Sequence, residues 1–526
     1  MADVGHALLR FRTRRDRAGA GDGVRRQRAP PLRPRHHRSP RFARGPDHRH
    51  RFHAPHGPRL ARQPVPVDSG ARGEVLSRGL ERRAGIGACR RACPARQGPD
   101  HRTPPDPDPP GLSARVGSRD PRRTAVTLRA ALTVVWVGGL AACRGSAAPP
   151  VPVSAAIPAA APASLGFDGT RLTGVVGYLR AEADSGAFPG AVLAVGRHGR
   201  LALLAPVGVY GVNDHRPVQA GTIYDLASLT KVVALTTACM VLVDEGKLAL
   251  DAPVQLYVPE FAGAMKDRVT IRHLLTHSAG LVPDLPLYDS TATRAAALHA
   301  VDTTTLLSPP GVTYRYSDLS AIVLMQVVER LAGEPFDRFL ARRVFGPLAM
   351  PSTRFLPPAA WRDRIAPTEN DTMFRHRLLV GEVHDESAAR LGGVSGNAGL
   401  FSNALDLSRF AAMLLNGGAW DTLQLIRAET VAAFTARQNL PAGSTRALGW
   451  DTPSDSGYSS AGTKLSRRAF GHTGYTGTSM WMDPERDLFI ILLTNRVNPT
   501  RANLAILHVR SQLADLVADA LTHPEL

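Results

Sequence analysis

The sequence reads as an α/β chain of the α+β kind: an antiparallel sheet flanked by helices, with an inserted helical region. Three observations predict this. Apolar runs over 191–196 and 201–211 flank His198-Gly199, a hairpin signal. Runs over 478–482 and 488–495 flank Asp483-Pro484-Glu485-Arg486-Asp487, a strong turn. Between these pairs, residues 270–440 carry mainly helical patterns broken by Pro and Gly loops. Strands at both ends of a helical middle fit one sheet whose faces are covered by helices.

From the N-terminus, residues 1–125 stand apart. They hold 29 Arg and no Lys, Asn, Tyr or Trp, against 11 Asp or Glu, a formal charge of +18. The whole chain carries +19, so the rest is close to neutral. The high pI therefore belongs to this leader and does not mark the folded body as a nucleic-acid binder. With few aliphatics and no periodicity, the leader cannot bury enough apolar surface to offset chain entropy. It reads as disordered or as a mis-extended reading frame.

Residues 126–143 read as a signal segment. A short apolar core over 130–139 follows Arg122, Arg123 and Arg129, and Leu140-Ala141-Ala142-Cys143 closes it. The run is too short to span a bilayer and has the shape of a secretory signal. Its ending resembles a bacterial lipoprotein lipobox, which implies cleavage before Cys143 and a lipid anchor on its sulfur. Translation starting near Val126 would place that signal at the N-terminus. The expected location is the bacterial cell envelope, extracytoplasmic and held to a membrane through Cys143.

Residues 144–165, rich in Ala and Pro, read as a semi-extended tether, and 166–526 as the globular domain. Within it, an amphipathic helix is expected over 169–184 and an apolar, central one over 226–245. A further helix is expected over 319–331 and a closing one over 503–521. Cys89 and Cys93 lack the partners of a zinc site, and Cys239 reads as a small buried hydrophobe. No metal or cofactor is expected.

Ser228-Leu229-Thr230-Lys231 is the first chemical constellation. Positions i and i+3 share a helix face, so hydroxyl and amine can meet. A serine hydroxyl needs an adjacent base, and a lysine serves only when its ammonium can lose a proton near neutral pH. The chain has four Lys against 60 Arg, and Arg cannot act as a base. Keeping Lys at 231 therefore has a chemical reason. Two further motifs follow: Tyr314-Arg315-Tyr316-Ser317-Asp318 ahead of an apolar helix, and Gly471-His472-Thr473-Gly474-Tyr475-Thr476-Gly477 ahead of the strand containing Trp481, itself read as core.

In this order the motifs resemble those of the serine β-lactamase and D,D-peptidase superfamily, nearest the class C type and its esterase relatives. That family carries Ser-x-x-Lys, Tyr-x-Asn, then Lys- or His-Thr-Gly, matched by the stretches beginning at Ser228, Tyr316 and His472. The stretches 270–281 and 396–402 also look like the family, and the resemblance covers roughly 166–522. It implies that Ser228 attacks a carbonyl and becomes acylated, that Lys231 takes its proton, and that Tyr316 relays it to the leaving group with its phenol pKa lowered by Lys231. His472-Thr473-Gly474 would line one wall of the cleft, and the oxyanion hole would be the N–H groups of Ser228 and Tyr475. Asp318 stands where the family usually has Asn. It would position Lys231 and substrate, but its charge should hold Lys231 protonated, which leaves open whether Lys231 or Tyr316 is the principal base.

The expected activity is thus hydrolysis of an ester or a D-Ala-D-Ala-type amide, with a small-molecule or peptidoglycan-derived acyl substrate. The alternatives are a true class C-like β-lactamase, disfavoured by His472 and Asp318, and a non-catalytic envelope lipoprotein that binds muropeptides or a partner. Oligomeric state is not legible. His277 reads as a hydrogen-bonded loop residue, and His384-Asp385-Glu386 as a loop fixed by side-chain bonds rather than a metal site. Asn397 and Ser402 border the cleft without an assigned role.

Overall fold

The computed structural model of the chain describes residues 156–523. The leader, the signal segment and Cys143 lie outside them. A six-stranded antiparallel sheet organises the domain: β1 (Gly190–Arg197), β2 (Arg200–Gly211), β3 (Asp214–Pro217), β4 (Phe470–Thr473), β5 (Ser479–Asp483) and β6 (Leu488–Thr494) lie in the order β4-β5-β6-β1-β2-β3. The first and last strands of the described domain meet in the middle of the sheet, where Ala191 pairs with Thr494 and Arg197 with Leu488.

Side chains alternate across a strand, and here both faces are covered. Ala191, Leu193, Val195, Ile490, Leu492 and Trp481 join the core under α1 (Gly169–Asp184) and the last helix, Ile506–Asp519. Val192, Ala194, Met480, Met482, Phe489, Ile491 and Leu493 join the larger core on the opposite face. This double burial explains why β1 and β6 read as unbroken apolar runs. Each fully buried Leu or Ile contributes about 1.5–3 kcal/mol.

The domain begins ahead of residue 166. Ile157 is in the core, and Leu201 exchanges main-chain hydrogen bonds with Pro158 and Ala160. The last part of the tether is therefore a short parallel bridge to β2, not linker.

The helical region packs around α2 (Ala227–Asp244), which is apolar enough to cross a membrane by composition but is 83% buried in the domain. It changes character along its length: 3₁₀ over Ala227–Leu229, π-helical over Lys231–Thr236, α-helical over Thr237–Asp244. The hydroxyls of Thr236 and Thr237 donate to the carbonyls of Lys231 and Val232, five residues back, which supports the wide turn. α3 (Asp318–Ala332) packs beside it, starting one residue earlier than the apolar pattern indicated. A small sheet of Arg354–Phe355, Leu400–Ser402 and Tyr224–Asp225 joins this region to the segment that leads into α2. Strands of two or three residues have no readable period and so leave no sign in the sequence.

Candidate active site

The nucleophile is placed by a strained step. Ala227 adopts φ +47°, a left-handed conformation that costs an L-residue roughly 1–3 kcal/mol. The buried Asp225 holds it there. Its Oδ1 accepts the Ala227 N–H at 2.8 Å and its Oδ2 the His384 N–H at 2.6 Å. From the other side, the hydroxyls of Thr476 and Thr478 donate to the carbonyls of Asp225 and Leu226 at 2.7 and 3.0 Å. The chain after His472-Thr473-Gly474 is thereby tied to the residues just before Ser228.

One turn on, Lys231 is buried. Its Nζ lies 3.1 Å from Ser228 Oγ, 2.9 Å from the Asn397 carbonyl and 2.7 Å from Asp318 Oδ1. The Asp318 approach is off the direction a hydrogen bond prefers, so the contact is foremost an ion pair. The Tyr316 hydroxyl interacts with the side chains of Ser228 and Lys231, and its ring centroid is 5.0 Å from Nζ. Ser228, Lys231, Tyr316 and Asp318 thus form one cluster.

Local structure explains the Tyr-x-Asp spacing. Ser317 is extended, so Tyr316 and Asp318 point the same way while Ser317 points inward. Ser317 caps α3 by accepting the Ser320 N–H and donates to the Val282 carbonyl; its own N–H donates to His277 Nδ1 at 3.2 Å. The His277 ring lies 4.5 Å from the Tyr316 ring, and His472 lies 5.9 Å from it on the far wall.

Electrostatics set the protonation states. Burial opposes the Lys231 ammonium, but Asp318 and then Tyr316 outweigh it, and its pKa sits above the ordinary lysine value. Tyr316 corrects an expectation. Lys231 does pull its pKa down, but burial, with Asp318 added, pushes it above the ordinary phenol value. Burial, Arg446 and Lys231 hold His472 well below 6.5, so it is neutral at pH 7. Its Nδ1 bonds the Thr473 carbonyl at 2.8 Å and so carries the proton, leaving a buried Nε2 lone pair with no partner among the described residues.

The rest of the wall follows. Gly474 is required: a Cβ there would sit 2.1 Å from Thr478 Oγ1 and 2.3 Å from the Leu226 carbonyl. The exposed Tyr475 ring stands 5.7 Å from His384 and 4.5 Å from the Arg496 guanidinium, which also bonds the Tyr475 carbonyl. Thr473 is half-buried beside His472. Among the described residues no cluster of His, Cys, Asp or Glu could hold a metal ion.

Comparison with known proteins decides the family. The model of the family described as Beta-lactamase matches residues 175–514. The chain belongs to that family. A protein of Escherichia coli K12, provisionally named D-alanyl-D-alanine carboxypeptidase, is 33% identical over 370 residues, 64% of this chain and 84% of the relative. The solved structure of EstCE1, a hydrolase with promiscuous acyltransferase activity, is 26% identical, with TM-score 0.54 over 66% of this chain and all but 2% of that one. A penicillin-binding protein homologue from Caulobacter crescentus, 23% identical, shares the fold with TM-score 0.55 over 68% of this chain and 99% of its own. This β-lactamase-family chain is an enzyme, a serine hydrolase.

Three residues of the β-lactamase-type site have no role assigned from sequence, which places Asn397 only at the cleft border, Asp385 only in a fixed loop, and Arg446 not at all. Asn397 contributes its main-chain carbonyl to Lys231, while its side chain bonds Ser395 Oγ and Asp385 Oδ1. The glycines of Gly396-Asn397-Ala398-Gly399 were the available signal. A Cβ at Gly396 would sit 2.2 Å from the Ala321 carbonyl of α3. Asp385 adds a second carboxyl, raised to about 6 by burial and the Asp318 charge. Arg446 is buried, bonds the Tyr314 hydroxyl through two nitrogens and lies 5.5 Å from the Tyr316 ring centroid. Its Nη1 makes no hydrogen bond and is 3.7 Å from Asp451. No motif marked it.

Proposed function

We propose that this serine hydrolase works through an acyl-enzyme on Ser228 and cleaves D-Ala-D-Ala-type amides as a D,D-carboxypeptidase. The observation that carries this reading is the Ser228–Lys231–Tyr316 contact set, buried behind a half-exposed serine. Ser228 Oγ attacks the carbonyl as its proton passes into the Lys231–Tyr316–Asp318 cluster. Tyr316 hands a proton to the departing amine, and water then resolves the ester. The N–H groups of Ser228 and Tyr475 serve as the oxyanion hole, where one donor is typically worth about 10²–10³ in rate.

A free C-terminal carboxylate needs a cation. Neutral His472 cannot supply one, whereas Arg446 is always charged and stands beside Tyr316 and His472, its Nη1 making no hydrogen bond and only a 3.7 Å ion pair with Asp451. This favours a peptide carboxylate over an uncharged ester. Esterase activity is the second reading, supported by the 26% identity to EstCE1, a hydrolase with promiscuous acyltransferase activity. We place the enzyme outside the cytoplasm of a bacterial cell, lipid-anchored through Cys143, which makes peptidoglycan-derived peptides its substrate pool.

Purified protein is assayed for D-Ala release from D-Ala-D-Ala peptides, for p-nitrophenyl ester hydrolysis and for turnover of a chromogenic cephalosporin. Peptide cleavage that disappears with Ser228→Ala is the expected result. Rapid cephalosporin turnover without peptide cleavage overturns it. Loss of membrane association in Cys143→Ala tests the anchor.

A further inference from the structure

The base in this site is already protonated. Lys231 has three N–H groups as an ammonium. Two point to Ser228 Oγ and the Asn397 carbonyl, and the Asp318 carboxylate lies 2.7 Å from the same nitrogen as its ion-pair partner. An ammonium that donates to Ser228 cannot accept its proton. Tyr316, the other candidate, holds its own proton more tightly than a free phenol. The proton of Ser228 therefore needs a destination that neither group supplies alone.

We propose that Asp318 is a catalytic proton acceptor: Lys231 passes a proton to Asp318 Oδ1 as it takes the one from Ser228, so that the ion pair as a unit is the base. This rests on the acyl-enzyme reading above. The balance is simple. Ser228 Oγ forms its bond to the substrate carbon and loses its proton to Nζ; Nζ loses a proton to Oδ1; the carbonyl oxygen takes the displaced electron pair. An ion pair, Lys⁺ and Asp⁻, becomes Lys⁺ and a neutral carboxylic acid beside the new oxyanion. When the tetrahedral adduct collapses, the proton returns from Asp318 through Lys231, by way of Tyr316, to the leaving group. No oxidant, metal or added base is required.

The surroundings favour this transfer when substrate is present. The Asp318 side chain is 25% exposed while Lys231 is only 3% exposed. A substrate that covers the cleft therefore excludes water from the carboxylate member of the pair first. The charged and titratable groups around the pair are Tyr316 on its own segment, Asp385 on the 385–399 stretch, His277 and His472 on the two walls, and Arg446 behind Tyr316. The Asp318 charge is felt in turn at Asp385, whose carboxyl it helps to raise. The asparagine that the family usually carries at this position can hydrogen-bond a lysine but cannot take its proton. In Asp318→Asn the amine would have to be emptied by bulk solvent.

The test is the rate at which a fluorophosphonate modifies Ser228, measured from pH 7 to 9 in wild-type protein and in Asp318→Asn. Wild type is expected to be nearly flat with pH, because the base is built in. Asp318→Asn is expected to be at least tenfold slower at pH 7 and to climb about tenfold per pH unit as its lysine is titrated. A wild-type rate that itself climbs tenfold per unit overturns the proposal, as does an Asp318→Asn rate that matches wild type at every pH. A proton inventory on the wild-type enzyme in H₂O–D₂O mixtures gives a second reading that needs no variant. A curved plot means two protons in flight, whereas a straight line means one and removes Asp318 from the chemistry. Failure of the acyl-enzyme reading is separately visible, since Ser228→Ala would then still be labelled.

Discussion

His277 Nδ1 accepts the main-chain N–H of Ser317 at 3.2 Å, and this one bond sets the direction in which Tyr316 and Asp318 leave the chain. His277 itself sits at φ +54°, and its carbonyl accepts the Arg315 N–H at 2.8 Å. Because Nδ1 accepts, the ring must be neutral, and burial together with the Arg446 charge holds its pKa well below 6.5. The sign of the linkage follows. As pH falls below about 6.5 the unfolded chain takes up protons at positions 277 and 472 that the folded chain refuses, so stability is full above that pH and drains away beneath it. Glu369 is held down at about 2 by His384 and Arg501 against its burial, so its contribution is lost only in stronger acid. Thermal melts should show Tm falling from pH 6.5 to 5, with a shallower slope in His277→Gln. An equal slope in that variant would assign the effect elsewhere. The same variant should lose kcat more than KM, because the phenol and carboxylate are displaced while the cleft remains.

Asp385 should leave a mark on the pH profile. Burial and the Asp318 charge raise it to about 6, so it gains its negative charge as pH rises through that value. Above pH 6 the added charge strengthens the grip on the Lys231 proton. The expected outcome is an inflection near pH 6 in kcat/KM that Asp385→Asn abolishes, since Asn retains an oxygen for the Ala388 and Asn397 donors. An unchanged profile would show that this carboxyl does not report to the reacting groups.

Arg446 should divide substrates by charge. A hydrogen bond to a charged group is worth about 1.5–3 kcal/mol. Arg446→Gln should therefore lower kcat/KM for a D-Ala-D-Ala peptide roughly 10- to 150-fold while moving the value for a neutral p-nitrophenyl ester by less than about threefold. Equal losses on both substrates would mean that Arg446 only props up Tyr314 and Tyr316.

Gly474→Ala should disable the site while sparing the rest of the fold. The added methyl meets the Leu226 carbonyl at 2.3 Å, and backbone there cannot give way without moving Ala227 and Ser228. A loss of about 10²–10³-fold in acylation, the scale of one oxyanion donor, is expected with a cooperative melt retained. Near-normal acylation would mean that the loop shifts at no cost to the nucleophile.

Much of this was legible in the sequence because it rests on spacing. Ser228 and Lys231 sit one helical turn apart, and Tyr316 and Asp318 lie two extended residues apart; both distances are fixed locally by the backbone. The long apolar runs of β1 and β6 likewise carried their own signal. What escaped is what the chain brings together from far away. The Asn397 carbonyl is a main-chain group, and any residue offers one. Arg446 is one arginine among 60, and only its folded neighbours distinguish it. The fall in Tyr316 pKa expected from its lysine neighbour failed for a related reason: the sequence names the neighbouring charge but not the depth of burial that opposes it.

The left-handed turn at Ala227 bears on how this scaffold can diversify. A reactive serine aimed by a single distorted residue, clamped by Asp225 from within, does not depend on the length or shape of distant connections. The walls, by contrast, come from segments near 277, 316, 397, 446 and 474. Insertions or exchanges in those segments can recast which molecules fit while the attacking atom keeps its aim. One fold can thus serve peptides, lactams and simple esters in different descendants, with the local distortion inherited as a fixed cost.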